Sequence, residues 1–598
     1  MSRLKAKGFF CAFAAAALIA GGGGPFQTGA AEPPPTVIAA VDLNGAGTPI
    51  SPYIYGINEV DPRMTQRSAR LGGNRLTGYN WHNNMSSAGS DWRHYSDDYL
   101  VQNIADRQRP GAVITDFALK AAEAGAYSVA TLPMAGYVAR DGKGPVGDDE
   151  TAPSERWARV EDRKPGGEFT LEPVRDADVV YTDELLNYLI TTLGDSSSDT
   201  GIKGYCLDNE PALWSGTHPR IHPGPVTVDE LIERTVSLAS AVKDMDPGAE
   251  VYGPVLYGFG AYNTLQGAGD WGETYKNEYR WFIDCYLDKM REAEETHGRR
   301  LLDVLDVHYY SEAENPDGQR ICFNNPTDDD SACALMESTR TLWDGDYLEK
   351  SWIAQWFSQF LPILPNLKAS IDEYYPGTKL ALTEYGFGSM HHISGGVAVA
   401  DALGIFAENG VYLATVWPER DMLFGISAVN MYTNADGEGL AFGDTLRPVT
   451  NASPELGSVY ASEDKDGNLH LMIISKAVDG DTWFRVNVGR EYRIARAFTL
   501  EGAYPGIRER DLSPGALEDP IAFQAGPMSV NHLVLTADPW TEPAPKDSPS
   551  PAPTPAEPEQ PDGWEDGGPG LWPAVLIVLG AAVLFGGIAF MIVRGKRA

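Results

Sequence analysis

Between residues 37 and 450, short apolar runs rich in β-branched residues alternate with longer stretches of helical periodicity, such as 228–244 and 277–297. Several of the short runs are apolar at consecutive positions, which is typical of strands buried on both faces of a parallel sheet. The eight candidate strands are 69–73, 128–132, 202–207, 251–255, 304–309, 380–383, 411–416 and 426–432. Eight such units predict an α/β fold, a (β/α)8 TIM barrel with insertions that spans 69–450. A doubly wound open sheet is the main alternative, but no GxGxxG motif follows the first strand.

The rhythm changes after Pro454, where short alternating strands are joined by Asp-Gly turns. Alternation and tight turns predict an antiparallel β-sandwich over 451–540. Its candidate strands are 458–462, 468–475, 482–488, 493–500 and 530–535. The segment 32–68 is expected to supply an N-terminal strand (36–43) that joins this β-domain.

Both ends of the chain have sequence patterns typical of targeting segments. Residues 1–31 combine three basic residues, a short apolar run and small residues, which predicts a cleaved secretory signal peptide. The Pro-rich stretch 541–570 predicts an extended linker. The uncharged apolar run 571–593 has the length of a transmembrane helix, and the basic tail 594–598 would remain cytoplasmic. We therefore expect a secreted protein that is anchored in the cell membrane by its C-terminal helix, with its bulk on the extracellular face.

Composition narrows the choice of partner. The chain has 47 Lys and Arg against 83 Asp and Glu, a net charge of -36, which argues against a nucleic-acid partner. No CxxC pair is present, and the acidic loop 328–330 lacks the ligand spacing of a calcium loop, so no metal or other cofactor is expected. Cys322 and Cys333 bracket a short polar loop and are candidates for a disulfide in an exported protein. The protein is expected to act as a monomer.

Two glutamates end predicted barrel strands, at the edge where TIM-barrel active sites lie. Glu210 stands in Asp208-Asn209-Glu210-Pro211, where the proline stops the strand. Glu384 ends another buried strand and is followed by Tyr385, whose hydroxyl could hold a carboxylate ionised and oriented.

Paired carboxylates in one cleft are the groups that hydrolyse glycosidic bonds, one as a proton donor and the other as a charged nucleophile. Glu210, beside a neutral amide and a proline, is the candidate acid/base, and Glu384 is the candidate nucleophile. A retaining enzyme would hold the two carboxyl groups about 5–5.5 Å apart.

A larger set of motifs resembles glycoside hydrolase family 44, the endoglucanase and xyloglucanase family. The matching stretches occur in family order over about 36–540: ISPYIYGIN from Ile50, LGGNRLTGYNW from Leu71, NN and SAGSD after it, LDNEPALW from Leu207, THPRIHP from Thr217, DVHYY from Asp306, LTEY from Leu382, and ISGG through DALGIF to Trp417-Pro418. The resemblance implies a barrel with a β-sandwich, a retaining mechanism and a β-1,4-glucan substrate. It assigns the acid/base role to Glu210 and the nucleophile role to Glu384. His82 and Gly386 depart from the residues that the family often carries at those positions.

Further residues are candidates for substrate binding. Asn209 is expected to bond the sugar 2-hydroxyl, and Trp417 could stack under a sugar ring. The remaining candidates near strand ends are Asn74, Arg75, Trp81, Trp214, His308, Tyr310 and Tyr385.

The resulting hypothesis is a surface-anchored retaining endo-β-1,4-glucanase that acts on cellulose-like chains or xyloglucan. Activity on xylan or mannan is an alternative within the same class. A catalytically weak surface glycan-binding protein is an alternative from another class, and a structural adhesion protein is a third. The adhesion hypothesis leaves the two strand-end glutamates unexplained.

Overall fold

The computed structural model describes residues 35–511, 516–517 and 519–536. The predicted signal peptide, Pro-rich linker, transmembrane segment and basic tail lie outside the described residues. Within the described ranges, no helix is both long enough and apolar enough to cross a membrane.

Eight parallel strands close into a barrel in which each strand pairs with its neighbours in chain order. The strands are β1 (Gly56–Asn58), β2 (Ser68–Leu71), β3 (Tyr127–Leu132), β4 (Gly204–Leu207), β5 (Glu250–Leu256), β6 (Val304–Tyr310), β7 (Lys379–Gly386) and β8 (Leu413–Val416). Nearly every residue of these strands is buried, which agrees with a sheet covered on both faces. The predicted TIM barrel is therefore confirmed.

Helices occupy the connections of the barrel. They are α1 (Ala112–Glu123), α2 (Thr182–Leu193), α3 (Trp214–Thr217), α4 (Val228–Met245), α5 (Phe259–Thr264), α6 (Phe282–His297), α7 (Asp329–Glu337), α8 (Trp352–Trp356), α9 (Ile363–Tyr374), α10 (Ile393–Glu408) and α11 (Leu423–Thr433). The segments that follow β2 and β3 also form two small three-stranded sheets, one of Ser86–Ser87, Tyr95–Asp97 and Gly144–Pro145, the other of Tyr137–Ala139, Trp157–Glu161 and Val179–Tyr181.

One predicted strand is wrong, and with it the predicted start of the barrel. The run 426–432 lies inside helix α11. The prediction failed because a short, fully buried apolar run has the same pattern in a helix as in a strand. The missing strand is β1, which lies within the segment 32–68 that was assigned to the β-domain. This strand has only three residues. It packs so closely against β8 that a Cβ atom on Gly56 would lie 2.6 Å from the Ala414 carbonyl oxygen. The barrel thus begins at Gly56 rather than at residue 69.

The strands predicted after Pro454 are present and belong to two sheets. The larger sheet runs in the order Thr48–Pro49, Thr445–Arg447, Gly457–Glu463, Leu469–Ser475, Ser529–Thr536, Tyr492–Leu500 and Arg508–Glu509, with Ala516–Leu517 beside Tyr492–Leu500. The smaller sheet runs in the order Val449–Asn451, Thr36–Val41, Thr482–Asn487 and Ile521–Ala525. A separate apolar core lies between the sheets and includes Val37, Leu471 and Phe484. The N-terminal strand joins the β-domain, as the sequence predicted.

The larger sheet turns its other face to the barrel. Met472, Phe498 and Val530 from this sheet belong to the same apolar cluster as the barrel helices. Lys476, just after one of its strands, forms a buried ion pair with Asp401 of α10 at 2.8 Å. The two domains therefore share one core on this side, which fixes the barrel against the sheet.

The predicted Cys322–Cys333 disulfide is wrong. Cys322 is a buried free thiol whose Sγ lies 3.6 Å from the carbonyl oxygen of Gly386, in the segment that follows the nucleophile candidate. Its short loop therefore packs against the end of β7 without a covalent link.

Candidate active site

The turn after β4 presents Glu210 at the barrel mouth. Asp208 and Glu210 both have left-handed backbone conformations, with φ of 66° and 48°, and Pro211 then starts a short 3-10 helix. The Asp208 carboxylate accepts hydrogen bonds from the Thr77 hydroxyl at 2.5 Å and from the Ala135 amide at 2.9 Å. These bonds anchor a strained turn of the kind that often occurs at functional sites.

Strand β7 brings Glu384 to the same place. A histidine from β6, His308, lies between the two carboxylates, with its Nδ1 atom 2.9 Å from Glu210 Oε1 and 3.5 Å from Glu384 Oε2. One oxygen of each glutamate and this nitrogen all lie within 4.8 Å of one another. The two strand-end glutamates thus face a single point, where one sugar bond could contact both.

Glu384 is held by two donors. Arg70, fully buried in β2, forms an ion pair at 2.7 Å with Glu384 Oε1, and the Tyr310 hydroxyl donates to Oε2 at 2.7 Å. A guanidinium and a hydroxyl on a buried carboxylate stabilise its negative charge and fix its orientation. Glu384 therefore has the surroundings of a nucleophile.

Glu210 has different surroundings. Its side chain is only 14% exposed, and this removal from water is the main reason that the pKa of its carboxyl is raised to about 7. The positive charge of Arg70 lowers this pKa, and the negative charge of Asp91 raises it. Burial lowers the pKa of His308 to about 3, so this imidazole is neutral and contributes a hydrogen bond rather than a charge. A carboxyl that keeps its proton near neutral pH is suited to general acid catalysis.

Two asparagines extend the network toward the cleft. Asn209 Oδ1 accepts from Arg70 at 2.9 Å and from the Gly73 amide at 3.3 Å, and its Nδ2 donates to Asn74 Oδ1 at 3.1 Å. Asn74 in turn donates to Asp91 at 2.9 Å. Asn209 and Asn74 are therefore next to the carboxylates, in agreement with a role in substrate binding. Trp417 is half-buried at the same mouth, over Gly73.

Three of the predicted substrate-binding residues have side chains that are buried or already paired, and so does His82. Trp81 and Trp214 are 1% and 0% exposed and pack inside the core, so neither can be a stacking surface. Arg75 donates to Asp97 at 2.6 Å and lies over the Tyr99 ring, so its head group is already paired. His82, one of the two departures from the family, is buried with its Nδ1 3.0 Å from a carbonyl oxygen of Val174.

Tyr385 is the clearest correction. Consecutive strand residues face opposite sides of the sheet, so a tyrosine that directly follows Glu384 points away from the barrel interior. Tyr385 is fully buried against Phe406 of α10, with ring centroids 5.1 Å apart. The hydroxyl on the nucleophile comes instead from Tyr310. The structure thus supports His308 and Tyr310 as site residues, through contact with the carboxylates.

Arg70 is the functional residue that the sequence reasoning missed. It donates to Asn58 Oδ1 at 3.1 Å as well as to Glu384 and Asn209. A signal was present, because arginine inside an otherwise apolar strand is almost never fully buried unless it is paired. Its partner could not be read from the sequence, since β2 and β7 are not neighbours in the barrel.

Glu210, His308 and Glu384 also have the donor types that hold a divalent metal, and they form one such group among the described residues. The same oxygens are the ones that glycosidic chemistry needs, and that chemistry requires no metal.

Comparisons with known proteins agree with this geometry. The family model described as glycoside hydrolase family 44 matches residues 85–313. "Endoglucanase A" of Paenibacillus lautus is 47% identical over 509 residues, which cover 83% of this chain and 72% of that protein. The solved structure of Cel44A, a family 44 endoglucanase from Clostridium thermocellum, is 47% identical with a TM-score of 0.80, over 84% of this chain and 100% of that one. A Paenibacillus polymyxa family 44 xyloglucanase solved with xyloglucan is 46% identical, also with a TM-score of 0.80 and the same coverage.

Proposed function

Because this chain belongs to glycoside hydrolase family 44 and is a glycoside hydrolase, we propose that it is a retaining endo-β-1,4-glucanase with Glu210 as acid/base and Glu384 as nucleophile. The single observation that carries the proposal is the convergence of two carboxylates with opposite surroundings. Glu210 is desolvated and retains a proton, whereas Glu384 is paired with Arg70 and Tyr310.

The separation of the carboxylates supports retention. Inverting enzymes keep their carboxyl groups about 6.5–9.5 Å apart to admit a water molecule between base and sugar, whereas retaining enzymes keep them about 5–5.5 Å apart. Here an oxygen of Glu210 and an oxygen of Glu384 lie within 4.8 Å of each other. That gap fits direct attack by the second carboxylate.

The residues then act in two steps. Glu384 attacks the anomeric carbon while Glu210 gives its proton to the glycosidic oxygen, so the bond to the leaving sugar breaks and a glycosyl ester forms on Glu384. Glu210, now a carboxylate, takes a proton from a water molecule while the water oxygen attacks the same carbon, so the ester bond to Glu384 breaks and the product sugar is released. Arg70 and Tyr310 bind the carboxylate that leaves in this second step.

For the substrate, we propose an unbranched β-1,4-glucan or xyloglucan. The support is the names of the relatives, an endoglucanase and a xyloglucanase solved with xyloglucan, and the amide groups of Asn74 and Asn209 beside the carboxylates, which suit sugar hydroxyls.

The test is reducing-sugar release by the full-length protein from xyloglucan, carboxymethylcellulose, glucomannan and xylan, with Glu384→Ala measured beside wild type. We expect release from a glucan and a loss of at least 10³-fold in Glu384→Ala, as for removal of a nucleophile. Tight polymer binding without release by either protein would favour the glycan-binding alternative. Release from xylan or glucomannan alone would favour the related glycanase.

We also propose that the protein is exported and held at the cell surface. The support is the sequence pattern of 1–31 and 571–593. Membrane fractionation of cells that produce the full chain, or a chain ending at residue 570, tests this. Full-length enzyme that pellets with membranes, with the shorter chain released to the medium, is the expected result. Equal release of both chains would contradict the anchor.

A further inference from the structure

The loop between β6 and α7 holds an exposed aromatic side chain on a strained backbone. Phe323 is 37% exposed, and its φ is +71°. A positive φ is uncommon for any residue other than glycine, and for a bulky residue the conformation is strained. Stability alone would place glycine at this position. The cost of the phenylalanine therefore needs a compensating use.

The residues on either side are fixed. Cys322 is buried, with its Sγ 3.6 Å from the Gly386 carbonyl oxygen. Asn325 Oδ1 accepts a hydrogen bond from the Ser389 backbone amide at 2.7 Å, and the Asn325 backbone amide donates to the Ile321 carbonyl oxygen at 3.0 Å. Both anchors tie the loop to the chain that follows Glu384. The Phe323 ring is thus held in place by the loop rather than by burial of the ring itself.

The ring is separated from Glu384 by one side chain, that of Tyr310. Its centroid is 5.0 Å from that of Tyr310, whose hydroxyl donates to Glu384. The Arg320 guanidinium lies 5.1 Å from the Phe323 ring centroid. Tyr310 therefore lies between Phe323 and Glu384, and more than a third of the Phe323 side chain remains exposed beside it.

We propose that Phe323 is a stacking platform for a sugar unit of the substrate other than the one attacked by Glu384. The inference rests on the proposed glucanase function and extends it to a residue that determines affinity for chains. In a β-1,4-linked glucan the ring hydroxyls point outward and the C–H groups form apolar faces, which an aromatic ring can cover. The positive φ aims the ring at the chain, and the lost stability is the cost of that orientation.

The proposal predicts a split between binding and chemistry. A platform away from the cleaved bond contributes equally to ground state and transition state, so its loss raises KM and leaves kcat unchanged. Removal of an aromatic ring that covers one sugar face weakens binding of the glucan chain about tenfold. For Phe323→Ala we expect KM for the best polymeric glucan to rise about tenfold at constant kcat. Phe323→Tyr, which keeps the ring, should retain the wild-type KM.

The experiment measures kcat and KM of the full-length protein for wild type, Phe323→Ala, Phe323→Tyr and Phe323→Gly. Tyr504→Ala removes an aromatic side chain that is 67% exposed in the β-domain and serves as the matched control. Phe323→Gly removes both the ring and the backbone strain, so it should raise KM like Phe323→Ala without lowering Tm.

An unchanged KM in Phe323→Ala would overturn the inference, and if kcat fell at that unchanged KM, the ring would only position Tyr310. Failure of the proposed function has a different signature, because wild-type protein would then release no sugar from any glucan. Binding of cello-oligosaccharide to Glu210→Gln protein, with and without Phe323→Ala, gives a second readout. We expect an increase in Kd of about tenfold, and an equal Kd in the two proteins would contradict the proposal.

Discussion

At the residue scale, the different roles proposed for Glu210 and Glu384 come from the side chains that surround each of them. Glu210 has a neutral imidazole and little water around it, whereas Glu384 has a guanidinium and a phenol. Both are glutamates at strand ends, so the difference in role is set by β2 and β6 and not by either local motif.

A pH shift follows from the charge of Asp91, which lies close enough to raise the pKa of Glu210. The proton on Glu210 is required for catalysis, so activity is present below the pKa and is lost as pH rises through about 7. Asp91→Asn removes one negative charge, so the pKa of Glu210 should fall. The new side chain keeps an oxygen that can accept the hydrogen bond from Asn74. We expect the basic limb of the kcat/KM profile on a soluble glucan to move to lower pH. A move to higher pH, or no move, would contradict this account.

Tyr310 in β6 and Tyr385 in β7 give a matched pair of variants. Tyr310→Phe removes the hydrogen bond to Glu384 and should lower kcat about tenfold or more, since one bond to a charged group contributes about 1.5–3 kcal/mol. Tyr385→Phe removes a hydroxyl that makes no hydrogen bond on the far side of the sheet and should leave kcat unchanged. Steady-state kinetics on one glucan distinguishes them. Equal losses in the two variants would contradict the assignment of Tyr310.

The sequence was sufficient to place the two glutamates, because a carboxylate at the end of a buried parallel strand has few other reasons to be there. It misplaced the tyrosine, since proximity along the chain is not proximity in space when side chains alternate between faces. It could not supply Arg70, because that contact exists only after the barrel closes and β2 faces β7 across the interior.

At the element scale, short elements were the hard ones to predict. The long strands β5, β6 and β7 were all expected from their apolar runs. The three-residue β1 has no periodicity of its own and is defined by its partners β8 and β2. Helix α11 is apolar on nearly every side because it lies between the barrel and the larger sheet of the β-domain, so its sequence gave no helical stripe.

The link between α10 and the β-domain is open to a stability test. Lys476 and Asp401 form an ion pair with side chains 2% and 0% exposed. Burial alone would raise the pKa of Asp401, but the Lys476 ammonium lowers it below its usual value. Lys476→Met leaves a buried carboxylate without its cation and should lower the free energy of unfolding by about 3–5 kcal/mol.

Denaturation of Lys476→Met in urea measures this loss at neutral pH. Lys465→Met, at an exposed position of the same domain, is the control and should change stability by less than about 0.5 kcal/mol. Equal stability of both variants would mean that the ion pair does not hold the two domains together.

At the scale of the whole molecule, the β-domain is part of the barrel's covering. Its larger sheet shares an apolar cluster with the barrel, and Tyr460 donates to Asp401 of α10 at 2.7 Å. We expect a chain ending at residue 450 to expose this surface of α10 and α11 and to aggregate, whereas a chain ending at residue 540 should remain soluble. Analytical ultracentrifugation of the two proteins checks this. A soluble, active barrel without the β-domain would show that the shared core is dispensable.

The central claim is a double displacement by Glu384 and Glu210, and the configuration of the first product tests it most directly. Proton NMR of the anomeric region, recorded while the protein cleaves a soluble β-1,4-glucan oligosaccharide, shows which anomer appears before mutarotation. The geometry predicts that the new reducing end appears first as the β-anomer, because two inversions at one carbon retain configuration. Initial formation of the α-anomer would contradict the account, since it would require water rather than Glu384 to attack the sugar.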